Sequence, residues 1–259
     1  MFGHVYDVFM FNDELDILEC RLYELQDIPN LTHVIVEANV THQDNPKDSV
    51  FLDHRERFAP WKDRIAHVWA TGLPTKAEDP DPWAREHAQR EHGLKALGDA
   101  EPHDVVIHGD VDEIPTPLVT RNLHPTGLVA LEQRLVCFAV DWLHPDPWRG
   151  PVAGRVSTLR TLGDKPLCMM RDSRNVVQPI RGAGWHLSWL GGKEATLHKL
   201  ACFCHPEIAD RTLKGLEAET FMAEGYHVDG SKLMAVDVDR TWPRWVVEKR
   251  CPASWWRPR

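Results

Sequence analysis

No run of about 18 apolar residues occurs in this chain, so nothing in it has the length to span a bilayer as a helix. The first ten residues lack both a basic start and an extended apolar core. That excludes a secretory signal peptide and leaves a first strand as their reading. Cysteine is sparse: six residues, at 20, 137, 168, 202, 204 and 251, with none of the rhythm of a disulfide framework. They read as reduced thiols, which predicts a cytoplasmic protein. Positive charge is short as well. Thirty Lys and Arg stand against 39 Asp and Glu, for a net charge of −9, which argues against a broad nucleic-acid-binding surface. No linker, repeat or low-complexity stretch divides the chain, so residues 1–259 read as one domain. Two chemistries lack their parts. Gly109-Asp110 has no later Gly-Asn-His to make a metallophosphoesterase, and Cys202-x-Cys204-His205 has no second ligand pair to make a zinc module.

What is present is an ordinary globular composition, 42% hydrophobic and 27% charged, in 259 residues that can bury a full core. Apolar and polar stretches alternate as strand and helix. Strands are predicted over residues 5–11, 33–38 and 65–70, and helices over residues 14–25 and 82–97. Leu15, Leu18, Leu22 and Leu25 give the first helix one apolar face, with Asn12 or Asp13 as its N-cap and Pro82 in the first turn of the second. Beyond Pro115 longer, partly alternating strands are predicted over residues 127–143 and 156–162, then helices over 193–203 and 206–224. The order predicts an α/β protein: a Rossmann-like, mostly parallel central sheet flanked by helices, with an antiparallel extension in the C-terminal half. Ligands of such sheets gather at the carboxyl ends of the strands.

At one such end the chain reads Val105-Val106-Ile107-His108-Gly109-Asp110-Val111-Asp112-Glu113-Ile114-Pro115. Three carboxylates within four residues repel one another unless a cation or proton offsets them. A metal site facing the crevice satisfies that requirement, and an acidic solvated turn closed by Pro115 satisfies the sequence equally. Eleven tryptophans divide between core packing and stacking on sugars or bases in proportions that composition does not fix. Arg149, Arg155, Arg160, Arg171, Arg174 and Arg181 fall in one third of the chain, as a basic patch or as scattered surface charge.

Four blocks, in order, carry a resemblance. They are Phe11-Asn12-Asp13-Glu14-Leu15-Asp16-Ile17-Leu18 with Arg21-Leu22-x-Glu24-Leu25; Val34-Ile35-Val36-Glu37-Ala38-Asn39-Val40-Thr41; Asp110 to Pro115; and Ala183-Gly184-Trp185-His186-Leu187-Ser188-Trp189. Together they resemble glycosyltransferase family 17, the β-1,4-mannosyl-glycoprotein 4-β-N-acetylglucosaminyltransferase family. The resemblance runs from about residue 5 to 200 and fades past Lys199. The 259 residues show no counterpart of the membrane anchor and stem of the animal enzymes, so the expectation is for neither a Golgi location nor a glycoprotein acceptor.

The resemblance implies a GT-A-like fold and an inverting transfer, most simply of N-acetylglucosamine from its UDP conjugate, with Mn²⁺ or Mg²⁺ as cofactor. It implies a glycan-type acceptor. Transfer from another donor, a hydroxylated base in DNA as acceptor, and a binding protein that has lost transfer remain open. In this reading Asp112 is the principal metal ligand, Asp110 binds the metal or the ribose, His186 completes the metal site, and Glu113 supports the catalytic centre from behind. Asn12, Asp13, Glu37 and Asn39 are expected at the nucleotide, Arg85 and Lys199 at the diphosphate, and Trp185 against donor or acceptor. Arg90 shares the helix of Arg85 and the same expectation. The catalytic base is assigned to Asp141, which follows the apolar run ending at Val140, with Glu132 and Asp146 as rivals. Capping, core packing and solvated surface positions account for the same residues individually.

Overall fold

The computed structural model describes residues 3–202 and 224–257. Ten strands form one mixed sheet among them: β1 Val5–Phe11, β2 Leu31–Ala38, β3 Ile65–Ala70, β4 Val105–Asp110, β5 Glu113–Pro115, β6 Val129–Cys137, β7 Trp142–Leu143, β8 Trp148–Arg155, β9 Pro179–Ser188 and β10 Met234–Ala235. The helices are α1 Leu15–Leu25, α2 Val50–Asp53, α3 Pro82–His92, α4 Pro117–Arg121, α5 Val156–Leu159, α6 Pro166–Asp172, α7 Gly192–Cys202 and α8 Arg244–Val247. The helix expected over residues 206–224 lies, but for its last position, outside the described residues, as do Cys204 and His205. No helix of the described residues is long and apolar enough to cross a membrane.

The order is β10-β7-β6-β8-β4-β1-β2-β3, with β9 joining β6 and β5 joining β9. Strands β3, β2, β1 and β4 run parallel, and β8, β6, β7 and β10 continue the sheet in antiparallel pairs. This is the Rossmann-like layout that the strand–helix alternation predicts, and it agrees with the GT-A-like fold that the resemblance implies. Val8, Val34 and Val36 point to one face of the parallel half and Phe9, Phe11 and Ile35 to the other, all buried, because strands covered on both sides read as unbroken apolar runs.

Two expectations are corrected. Residues 156–162 begin with helix α5, and the strand lies before it, in Trp148-Arg149-Gly150-Pro151-Val152 and onward. Neither Asn12 nor Asp13 caps α1 through its side chain. Instead the Glu14 carboxylate folds back and accepts the amides of Asn12 and Asp13, each at 3.1 Å. The second helix behaves as read: Asp81 caps α3 by accepting the Trp83 amide at 3.0 Å, and Pro82 opens it.

Candidate active site

Parallel pairing puts Phe11 opposite Glu37 and Met10 opposite Asp110, so the carboxyl ends of β1, β2 and β4 end level. A cavity of about 950 Å³ opens there. Its walls include Asn12 and Asp13 from the β1–α1 loop, Asp110 and Asp112 from the acidic motif, Arg171 from α6, His186 from β9 and Lys199 from α7. The β5–β9 pairing sets the floor. It places Glu113 opposite His186, while the Leu187 amide donates to the Asp112 carbonyl at 2.8 Å. Gly184 makes this close approach feasible, since a Cβ there would stand 2.1 Å from the Ile114 carbonyl oxygen. The small residues of this block thus admit a neighbouring strand.

The backbone of the acidic motif hangs on a residue of α1. Arg21 is fully buried, and its Nη1 donates to the carbonyls of Asp110 (3.1 Å), Val111 (3.1 Å) and Glu113 (2.9 Å). Its other nitrogens pair with Asp7, which also binds the His33 ring at 2.8 Å. Burial would raise the Asp7 carboxyl, but Arg21 and His33 hold it well below the usual carboxylate range.

Each carboxylate of the motif has its own cations. Asp110 takes Arg90 on one oxygen at 3.0 Å and Arg171 on the other at 2.9 Å. Glu113 is fully buried; it accepts from Arg171 at 2.7 Å, the Asp110 amide at 3.0 Å and the Trp148 indole at 2.5 Å. A Cβ on Gly109 would sit 2.5 Å from that carboxylate, so glycine is required beside it. Asp112 takes Lys199 on Oδ2 at 2.9 Å and faces the His186 Nε2 with Oδ1 at 3.4 Å. Burial works against ionisation at Asp110 and Asp112. Arg171 and Arg90 at the first, and Lys199 and His186 at the second, nevertheless hold both well below the ordinary carboxylate range. Lys199, in turn, is lowered by burial but raised further by Asp112 and Glu14.

A divalent cation fits this floor. Asp112 Oδ1 and His186 Nε2 supply an oxygen and an imidazole nitrogen facing each other across 3.4 Å. The His186 Nδ1 is buried without a hydrogen-bond partner. A carboxylate with an imidazole suits Mn²⁺ better than Mg²⁺, which favours oxygen and water.

Of the remaining expected residues, Asn12 and Asp13 do line the cavity; Asp13 pairs with His198 of α7. Others are placed elsewhere. Glu37 is fully buried and spent on structure, accepting from Ser49 Oγ (2.6 Å), the Val50 amide (2.7 Å), the His67 ring (3.0 Å) and Lys47 (3.1 Å). It anchors the start of α2 and contributes nothing to the cavity wall. Asn39 joins the same support through its backbone, bonding Ala70 and Lys47. Arg85 is buried against the carbonyls of His42 and Asp79, at 2.6 and 2.9 Å, whereas Arg90, on the other side of α3, reaches the cavity. Trp185 packs in the core with its indole on the Thr241 carbonyl, and Trp189 is the tryptophan of that block that borders the cleft. Asp141 lies off the cleft, with Arg257 on its carboxylate at 2.7 Å. The rivals Glu132 and Asp146 do not border it either.

Sequence reasoning missed several groups that do. Arg171 and Arg174 stood there only as members of an arginine-rich third. Arg174 faces the cavity over the Trp148 ring at 5.5 Å and has no carboxylate in ion-pair range among the described residues. Glu86, Asp172, Glu194 and His198 also border the cavity. None sits in a recognisable block, and each arrives from a helix whose polar face reads as solvated.

Comparison with known proteins agrees in part with this geometry. No curated protein matches the chain. Among solved structures it is similar to a mannosyltransferase, PcManGT, from Pyrobaculum calidifontis in complex with GDP-Man and Mn2+, at 16% identity and a TM-score of 0.46, over 86% of this chain and 70% of that one. It is also similar to the 2-C-methyl-D-erythritol 4-phosphate cytidylyltransferase (IspD) of Francisella tularensis, at 10% identity and a TM-score of 0.32, over 72% and 90%. The model of glycosyltransferase family 17 matches residues 2–214, which include every block of the resemblance and all of the acidic floor, and the chain therefore belongs to that family of glycosyltransferases.

Proposed function

We propose that the cleft binds a nucleotide-sugar donor by its diphosphate and transfers the sugar, with inversion, to an acceptor hydroxyl. The observation that carries this reading is the floor itself: Asp112 and His186 face each other at 3.4 Å, with Arg174 and Lys199 on the same cavity wall. Asp112 and His186 would hold the cation, and Asp110, fixed by two arginines, would orient ribose or water around it. Such an ion, when bound, lends Lewis-acid charge to the departing diphosphate. Arg174 adds a fixed positive charge beside it, and Lys199 balances Asp112 before donor arrives. Asn12 and Asp13 border the nucleotide end. Glycosyl transfer needs a base on the acceptor hydroxyl, and we assign it to the cleft carboxylates outside any ion pair of the described residues, namely Glu14, Asp172 and Glu194. Trp83 and Trp189 offer apolar faces to a sugar ring. The family favours a UDP-linked N-acetylhexosamine as donor and a glycan as acceptor.

A thermal-shift screen of nucleotide sugars, with and without Mn²⁺, tests the donor and the cation together. The expected result is stabilisation by one donor class that deepens with Mn²⁺ and is absent from Asp112→Ala. If stabilisation by a donor survives Asp112→Ala unchanged, the assigned floor is wrong. If donor binds but neither hydrolysis nor transfer follows with any glycan, a binding protein is the better description. Salt-sensitive binding to DNA would move the acceptor to a hydroxylated base.

A further inference from the structure

A second group of ligating side chains lies away from the acidic floor, where the end of β7 meets the turn at residues 225–233. His144 follows β7 directly and is almost fully buried, its amide tied to the Leu135 carbonyl of β6 at 2.8 Å. Its Nε2 stands 3.2 Å from Asp229 Oδ2, and the Nδ1 of His227 stands 3.1 Å from Oδ1 of the same carboxylate. The ligating atoms of all three lie within 4.8 Å of one another. Ligands about 2.0–2.1 Å from a tetrahedral zinc ion stand about 3.3 Å apart, and each ring nitrogen lies near that spacing from its own oxygen of the Asp229 carboxylate.

The surroundings orient the group. Asp229 Oδ1 accepts the Ser231 amide at 2.8 Å, and the turn is closed by His227 N to Ser231 O (2.8 Å) and Gly230 N to His227 O (2.9 Å), with Gly230 at φ +92°. The His144 Nδ1 lies 3.1 Å from the Asp146 carbonyl and 3.0 Å from the Asp146 amide, and the tautomer that donates Nδ1–H to the carbonyl is the one whose Nε2 lone pair can take a metal. The His227 Nδ1 is buried and makes no hydrogen bond.

We propose that His144, His227 and Asp229 bind one divalent ion of zinc's class, pinning the turn at residues 225–233 to β7. Two imidazoles and a carboxylate are the borderline donor set that selects Zn²⁺ over Mg²⁺ or Ca²⁺. Asp229 is half exposed, so an ion can enter and water can take the fourth position. The turn it fixes carries Val228 and Leu233, which pack with Trp142 and Trp148, and Trp148 holds Glu113. The part assigned to the ion is to hold this turn, and its three ligands are distinct from those assigned to the cation of the cleft.

Zinc alone is the probe. The whole chain, stripped with chelator and carrying Asp112→Ala and His186→Ala to remove the cleft ligands, is expected to retain one equivalent of Zn²⁺ after dialysis and to melt higher with it. Adding Asp229→Asn, a half-exposed substitution that leaves the fold intact, should weaken that binding at least tenfold, and His227→Ala should do the same. Co²⁺ loaded in place of zinc should give the visible absorption of a four-coordinate site and lose it in both variants. Retention of no zinc by the cleft-ablated chain, or binding indifferent to Asp229→Asn and His227→Ala, overturns the proposal.

Discussion

Arg21 shows how far a single side chain can govern a site it does not border. It joins the buried Asp7 to three carbonyls of the acidic motif, so its loss would leave a buried carboxylate uncompensated and the motif's backbone untethered. Arg21→Met is expected to cost about 3–5 kcal/mol, read as a lower urea midpoint, because breaking a buried pair strands the remaining charge. Arg174→Gln should act in the opposite sense. It leaves the unfolding midpoint nearly unchanged and raises the donor KM by about tenfold, the scale of one charged hydrogen bond. Amide replacements at Glu14, Asp172 and Glu194 separate the base from its neighbours: one of them should lower kcat by about 10²–10⁴-fold and flatten the acid limb of the pH–rate profile. Asp110, Asp112 and His186 were legible because each sits in a short block with its own local signature, and Lys199 because it follows the histidine block at short range. The roles of Arg171 and Arg21 were not, because the partners they hold lie 58 and 92 residues away, even though Arg21 stands in the first block.

Among the elements, β8 and β9 explain where a reading by pattern stops. Trp148-Arg149-Gly150-Pro151 looks like a turn, since Pro lacks a ladder donor and Gly has no side chain to pack. It forms a central strand because its pairing with β6 is irregular between Ala130 and Glu132, and its pairing with β4 ends at Val152, so Pro151 meets no regular ladder position. The parallel half had no such interruptions, and its strands were found within a residue or two. Gly184 belongs to the same lesson. Gly184→Ala puts a methyl against the Ile114 carbonyl, must push β9 from β5, and is expected to destabilise by about 1–3 kcal/mol. Because His186 rides on β9, the same variant should weaken Mn²⁺-dependent donor binding, measurable by calorimetry beside the thermal midpoint.

At the scale of the whole molecule, buried ionisable groups set the response to acid. Burial drives His33 and His108 below the ordinary value of 6.5, so the unfolded chain takes up protons first as pH falls through that value. Asp7, Asp110 and Asp112 are depressed too; their contribution is complete above the unfolded carboxylate range and is lost on descending through it. Both sets have one sign, while Glu14 and Glu24, raised chiefly by burial, act in the opposite sense above the unfolded carboxylate range. Stability should therefore fall in two stages, from about pH 6.5 and again near pH 4, as urea midpoints across pH will show. Saturating donor should shift the whole curve upward, by about 2.7 kcal/mol at a hundred times Kd. The charge balance of the cleft also bears on synthesis at the ribosome. Asp110 and Glu113 emerge 61 and 58 residues ahead of Arg171, and Asp112 emerges 87 residues ahead of Lys199. A nascent chain thus carries the strand end with its repulsion only partly relieved, by Arg90, until α6 and α7 follow. The remaining cations that balance this strand end are supplied by the antiparallel half, after the parallel half has been made.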